Sequence, residues 1–347
     1  MKLKITVLVT SVALLVMAFF SSAHQKALLF DVPPHFPAPV YPFEKNPLTE
    51  AGIELGRTLF YDALLSKDNT ISCGSCHQQA AGFTQSGQAL SRGINDLTTR
   101  RNAMPLVNLA WSSHFGWDGG VHDLDLFPMV PIQNEAEMNE SLPNILEKLR
   151  KKRQYPVLFT KAFGSPDITD ERFLKALSQF MLTMVSANSR YDRAVRHQGA
   201  TFTPSERAGW ILVERKCSGC HPEPLFTDFS FRNNGLASTV NDDPGQYGIT
   251  LNNEDRYKFK VPTLRNVAVT APYMHDGRFT TLEEVVAHYT GVEHGETLDH
   301  LLKRDRETGI LGISLTPTEQ ADIVAFLRTL TDDSFLQDCR FAENKGL

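Results

Sequence analysis

The chain has 347 residues, with 35 Lys and Arg against 40 Asp and Glu, a formal charge of −5. That mildly acidic balance argues against a nucleic-acid partner. The length suits two domains of ~100–200 residues each.

The chain opens "MKLKITVLVTSVALLVMAFFSSAHQ": two lysines, an apolar run from Ile5 to Phe20, then Ser21-Ser22-Ala23. That order is a secretory signal peptide, residues 1–23, with cleavage after Ala23. The apolar run is short of the ~20 residues that span a bilayer. Its removal takes Lys2 and Lys4, so 35 − 40 becomes 33 − 40, or −7. No later stretch is apolar enough to span a membrane, so the expected product is an exported, soluble, periplasmic protein.

"PLTEAGIELGRTLFYDALLS" carries apolar residues at helical spacing and leads into "ISCGSCHQ", with Cys73, Cys76 and His77. Helical patterns follow over "LPNILEKLRKK" and, as one long stretch, "DERFLKALSQFMLTMVSANSRYDRAV". "TPSERAGWILVERK" then begins with the capping box Thr203 to Glu206, with Pro204 at the first helical position. It runs into "KCSGCHPE", with Cys217, Cys220 and His221. A last helix, "EQADIVAFLRTL", opens at Thr316, Pro317 and Glu319 in the same way.

Cys-x-x-Cys alone fits a redox or zinc motif. Followed directly by His it is the attachment signature of c-type haem: two thiols add to the vinyl groups and the imidazole ligates iron. The spacing puts both sulfurs on one helical turn with the imidazole beside them. Four of the five cysteines fall in the two motifs, which speaks against a simple disulfide framework. Cys339 remains as a structural residue or a free thiol. The reading is two covalently bound haem c groups, with His77 and His221 as proximal ligands. Strand patterns are scarce. The fold class is mostly α, with two cytochrome c-like haem domains in tandem, 24–198 and 199–347, joined near "RHQGATFTPSE".

With these motifs, "RRNAMPLVNLAW", "WDGG" and "KVPTLRNVAVTAPYMHDGRFTTLEEVVAHY" resemble the bacterial di-haem cytochrome c peroxidases, the family that includes MauG. The resemblance runs from about Pro47 to Thr331. It implies a periplasmic enzyme that reduces hydrogen peroxide to water. Electrons from a small cytochrome c or cupredoxin would enter at the C-terminal haem and cross to the N-terminal one. Trp117 matches the tryptophan between the haems. Asn102, with the carbonyls of Thr270 and Pro272, matches a calcium site, and oxygen ligands suit calcium. Glu137, twenty positions after Trp117, matches the distal acid that moves a proton between the peroxide oxygens, while Glu135 reads as a solvated charge.

Two departures stand out. Many members cap the N-terminal haem with a histidine from the loop after the first motif, but Gln78 to Ser113 contains none. Met104 matches no family ligand, so the first iron is expected to be open. Phe127 stands where a glutamine usually lines the distal pocket. At the second haem, Met274 and His275 are tempting ligands, yet the family's ligand lies on the next helix. That position, fourteen after His275, is Tyr289, a tyrosine as in MauG. A capping box of Thr280 and Glu283 would start the helix at Thr281. Leu282, Val285, Val286 and Tyr289 then form one inward stripe, with His288 rotated ~100° away. Three functions compete: the peroxidase, a MauG-like oxidase acting on a protein side chain, and a non-enzymatic di-haem carrier. Glu137 and an open first iron disfavour the carrier.

Overall fold

The computed structural model describes residues 27–237, 242–293, 295, 297–303, 309 and 311–343; the expected leader, 1–23, lies outside them. The protein is mostly helical, as the patterning implied. Regular strands among the described residues are one short antiparallel pair, Phe231–Arg232 with Phe259–Lys260.

Each Cys-x-x-Cys-His motif is preceded by a helix that crosses a later helix at a glycine. Helix Glu50–Tyr61 starts at Thr49, whose hydroxyl accepts from the Gly52 amide, and it buries Leu55, Leu59 and Phe60. It packs across Asp170–Leu182 so closely that a Cβ on Gly56 would lie 1.9 Å from the Ala176 carbonyl oxygen. Helix Pro204–Lys216 starts at the expected Thr203–Glu206 capping box and crosses Pro317–Arg328, which has its own Thr316–Glu319 box. A Cβ on Gly209 there would lie 1.9 Å from the Asp322 carbonyl oxygen. In both crossings only glycine lets the backbones meet.

Buried side chains gather correspondingly. The larger core joins Leu55, Phe60, Phe83, Phe159, Phe173 and Phe180. Helices Leu142–Lys151 and Gln154–Phe163 close it. A second core joins Val213, Phe226, Val286, Ile323 and Phe326.

The expected long helix over 170–195 is instead two helices, Asp170–Leu182 and Arg190–Val195. Asp332 explains the break. Its carboxylate accepts from the amides of Ala187 and Asn188 at 3.1 and 2.8 Å and from the Ser186 hydroxyl at 3.2 Å. Side-chain acceptors thereby replace the helix ladder, and Ser189 with Asp192 caps the second helix. Tyr191 then packs into the second core, while Phe335 and Phe341 near the C-terminus return to the first.

Candidate active site

The first motif forms the single turn Cys73–Cys76. The His77 amide donates to the Cys73 carbonyl at 2.9 Å. His77 Nδ1 lies 2.7 Å from the Phe83 carbonyl oxygen. A carbonyl only accepts, so Nδ1 carries the proton and Nε2 is left with a lone pair. Burial holds the imidazole below its usual pKa, against a smaller opposing pull from that carbonyl, so it stays neutral.

Cys73, Cys76 and His77 line one cavity with Phe127, Glu137 and Met181. Glu137 therefore shares a cavity with the first motif. Its amide donates to the Asn134 carbonyl and its own carbonyl accepts from Ile94, both at 3.0 Å. Asn134 Nδ2 donates to Oε1 at 2.8 Å. Burial raises the Glu137 carboxyl above the ordinary range, and the Asn134 bond pulls the other way. Glu135 is exposed. Phe127 fills the wall with its ring 5.6 Å from Phe115. Met104 lines a separate crevice with Pro105 and Pro262.

The second motif repeats the imidazole arrangement without the helical turn. Cys217 caps helix Pro204–Lys216, and Cys217 to Cys220 form a plain turn. The His221 amide donates to Cys217 at 2.8 Å, and Nδ1 lies 3.0 Å from the Phe226 carbonyl oxygen. Burial lowers this histidine too.

The cavity around it is lined by Cys217, Cys220 and His221 together with Trp117, Met274 and Tyr289. Asn234 Nδ2 lies 3.5 Å from the Tyr289 hydroxyl and 3.6 Å from Met274 Sδ. Burial pushes the Tyr289 phenol up to about 12, with the Asn234 bond opposing. His275 stacks on Phe259, ring centroids 3.8 Å apart. His288 turns away, with Nε2 3.0 Å from the Asn234 carbonyl oxygen. The helix carrying Tyr289 begins one residue later than the sequence suggested: Thr281 and Glu284 form the box, and Tyr289 is the C-cap of Leu282–His288. Glu284 accepts from the amides of Thr280 and Thr281, whereas Glu283 pairs with Arg328.

Trp117 is held in the wall of the second cavity. Its Nε1 donates to the Asn102 carbonyl at 2.8 Å, and the Asn102 amide donates to His275 at 2.7 Å. Trp117 borders the second cavity and not the first. Asn102, Thr270 and Pro272 line that same second cavity. The Asn102 amide nitrogen donates to the Ala89 carbonyl at 2.9 Å, which leaves Oδ1 as an available oxygen. Among the described residues no donor is recorded on the Thr270 or Pro272 carbonyl.

The thiols separate the chemical alternatives. Burial pushes Cys73 and Cys217 up to about 12, Cys220 up to about 11, and Cys76 in the same direction. Redox-active Cys-x-x-Cys pairs have lowered values. Thiols held neutral on an apolar wall, each pair beside a neutral histidine whose Nε2 carries a lone pair, fit thioether attachment and iron ligation by haem c. Sequence reasoning missed Asn134, Met181 and Asn234. Asn134, three residues before Glu137, had a readable spacing; Met181 and Asn234 carried no signal, since long-range packing alone brings them to the cavities.

Residues 50–200 match the family model "Di-haem cytochrome c peroxidase". The chain is 34% identical to the methylamine utilization protein MauG of Methylorubrum extorquens, over 82% of this chain and 79% of that one. It is 35% identical to the cytochrome c551 peroxidase of Nitrosomonas europaea, over 81% and 80%. The structure of a MauG-like protein associated with microbial copper homeostasis superposes with a TM-score of 0.78 at 32% identity, over 91% of this chain and 99% of that one. With two Cys-x-x-Cys-His cavities in one mostly helical chain, these likenesses lead to one conclusion: the protein belongs to the di-haem cytochrome c peroxidase family and is a peroxidase-type oxidoreductase.

Proposed function

We propose that the protein is an exported, periplasmic di-haem c peroxidase with tandem haem domains, 24–198 and 199–347. It reduces hydrogen peroxide to water: one peroxide, two electrons and two protons give two waters. The observation that carries this reading is Glu137, a half-buried carboxyl with a raised pKa in the same cavity as His77. A haem held by Cys73, Cys76 and His77 would supply iron for peroxide and electrons for cleaving its O–O bond.

The chain supplies the rest. Glu137 takes the proton of the bound peroxide and returns it to the leaving oxygen. Asn134 holds the Glu137 carboxylate in place. Phe127 keeps one wall apolar where a polar side chain is more usual, leaving the proton work to Glu137. Trp117, on the wall of the second cavity, passes electrons from the His221 haem towards the first. The Asn102 side chain with the Thr270 and Pro272 carbonyls holds a calcium ion beside that route. A small cytochrome c or cupredoxin is the donor.

The test is steady-state oxidation of a reduced small cytochrome c by peroxide, begun from the fully oxidised enzyme. Two donors oxidised per peroxide, with no activating reduction, supports the proposal. An enzyme inert until prereduced contradicts the open first iron.

Tyr289 favours a second reading. A phenolate on the second iron stabilises the ferric state more than a methionine would, because a hard anion favours the higher charge. That suits removal of electrons from a protein side chain, the MauG-like alternative. Slow turnover with cytochrome c, together with peroxide-dependent oxidation of a partner protein, would select it.

A further inference from the structure

One buried cation has no anion opposite it. Lys260 ends the strand Phe259–Lys260 and is 7% exposed. Its amide donates to the Trp117 carbonyl at 2.8 Å. Its ammonium donates to the His114 carbonyl at 3.1 Å, its one recorded partner among the described residues. An ammonium has three donors, and a buried charge is costly unless it is paired.

The carboxylates of this region are held by other cations. Asp118 and Asp243 both bind Arg101. Asp228 and Asp299 both bind Arg232. Arg265, buried deeper still, is matched by Asp192. Burial drives Lys260 down to about 8 with no compensating carboxylate. Lys260 lines the second cavity, whose wall it shares with Trp117 and Tyr289, and its other side borders the crevice of Met104 and Pro262.

What that cavity receives supplies the missing charge. A haem c attached through Cys217 and Cys220 carries two propionate carboxylates on the edge opposite its thioether links. We propose that Lys260 binds a propionate of the second haem and that its ammonium raises that haem's reduction potential. The proposal rests on the di-haem reading and adds a cofactor-binding residue to it. A positive charge in a low-dielectric wall disfavours ferric iron, which carries the extra positive charge. Lys260 thereby offsets part of the opposite bias that a Tyr289 phenolate would give, and it does so beside Trp117.

Lys260→Met and Lys260→Arg test this, each first assayed for two haems per chain. Wild-type protein with fewer than two haems refutes the di-haem reading itself, separately from the Lys260 assignment. Each variant is then poised at the potential where the wild-type second haem is half reduced. The ferric-to-ferrous ratio of that haem should rise roughly threefold or more in Lys260→Met and stay near wild type in Lys260→Arg. A fully loaded Lys260→Met with an unchanged ratio, or a shift confined to the first haem, overturns the proposal. Resonance Raman of the wild type decides the case where Lys260→Met fails to load. With only the second haem reduced, its propionate bending band should sit at a hydrogen-bonded position and move in D₂O. A band at the free-propionate position, insensitive to D₂O, overturns the assignment.

Discussion

Glu137 shows how burial can tune a surface-type carboxyl for the acid–base role proposed for it. Burial raises its carboxyl pKa, so the proton-accepting form is lost as pH falls through a value above the ordinary range. The acid limb of the peroxidase profile should therefore lie higher than a solvated glutamate would place it. The Asn134 bond opposes that shift, so Asn134→Ala should move the limb higher again, read from kcat/KM against pH. The same raised value means that stability is lost as pH rises from the ordinary carboxylate pKa through the folded one. Glu137→Gln should accordingly leave Tm at neutral pH unchanged or higher, by differential scanning calorimetry. At the other cavity, Tyr289→Phe should change the spectrum and potential of the second haem and leave the first largely alone. A change in Met274→Ala in its place would transfer the ligand to Met274, which shares the Asn234 amide with Tyr289.

Helices are where the sequence was most legible. The boxes Thr203–Glu206 and Thr316–Glu319 were readable because three-residue cap spacing is local chemistry. The break at Thr183 to Ser189 was not, because the carboxylate that makes it, Asp332, lies about 145 residues away. The box at Thr281 slipped by one position because Glu283 and Glu284 are adjacent, and only the distant Arg328 distinguishes them. Glycines at the two crossings were equally silent in the sequence. Gly209→Val should push Pro204–Lys216 off Pro317–Arg328 and cost about 1–3 kcal/mol or more, measured by denaturant unfolding. Gly164→Ala, at a helix end where a Cβ meets nothing within 4 Å but φ is +74°, should cost less, about 1 kcal/mol.

At the scale of the molecule, the two cores are tied by buried polar contacts. Arg265 and Asp192 form a bidentate pair at 2.9 Å with both side chains fully buried. His35, next to Phe36 of the first core, adds a third contact to Asp192 at 3.0 Å. Burial alone would raise Asp192, but Arg265 and Ser189 outweigh it and hold the carboxyl below the usual range. Its folded value is depressed, so this contribution is present above the ordinary aspartate pKa and is lost as pH falls through the folded one. Arg265→Met strands a buried carboxylate and should cost about 3–5 kcal/mol near neutral pH. That penalty should shrink in acid, when Asp192 protonates, and unfolding curves at the two pH values read the difference. Motif spacing made the two Cys-x-x-Cys-His sites legible, and only the family resemblance pointed to Glu137. The tie between the cores, with Asn234 and Lys260, was illegible because each partner is remote in sequence.

The most direct measurement compares peroxide-dependent oxidation of reduced cytochrome c by wild type and Glu137→Gln at equal haem content. Gln keeps the shape and cannot take up and return a proton, so kcat/KM for peroxide should fall by ~10²–10⁴-fold with two haems per chain retained. A rate within a few-fold of wild type would remove Glu137 from the chemistry and with it the account of the first cavity.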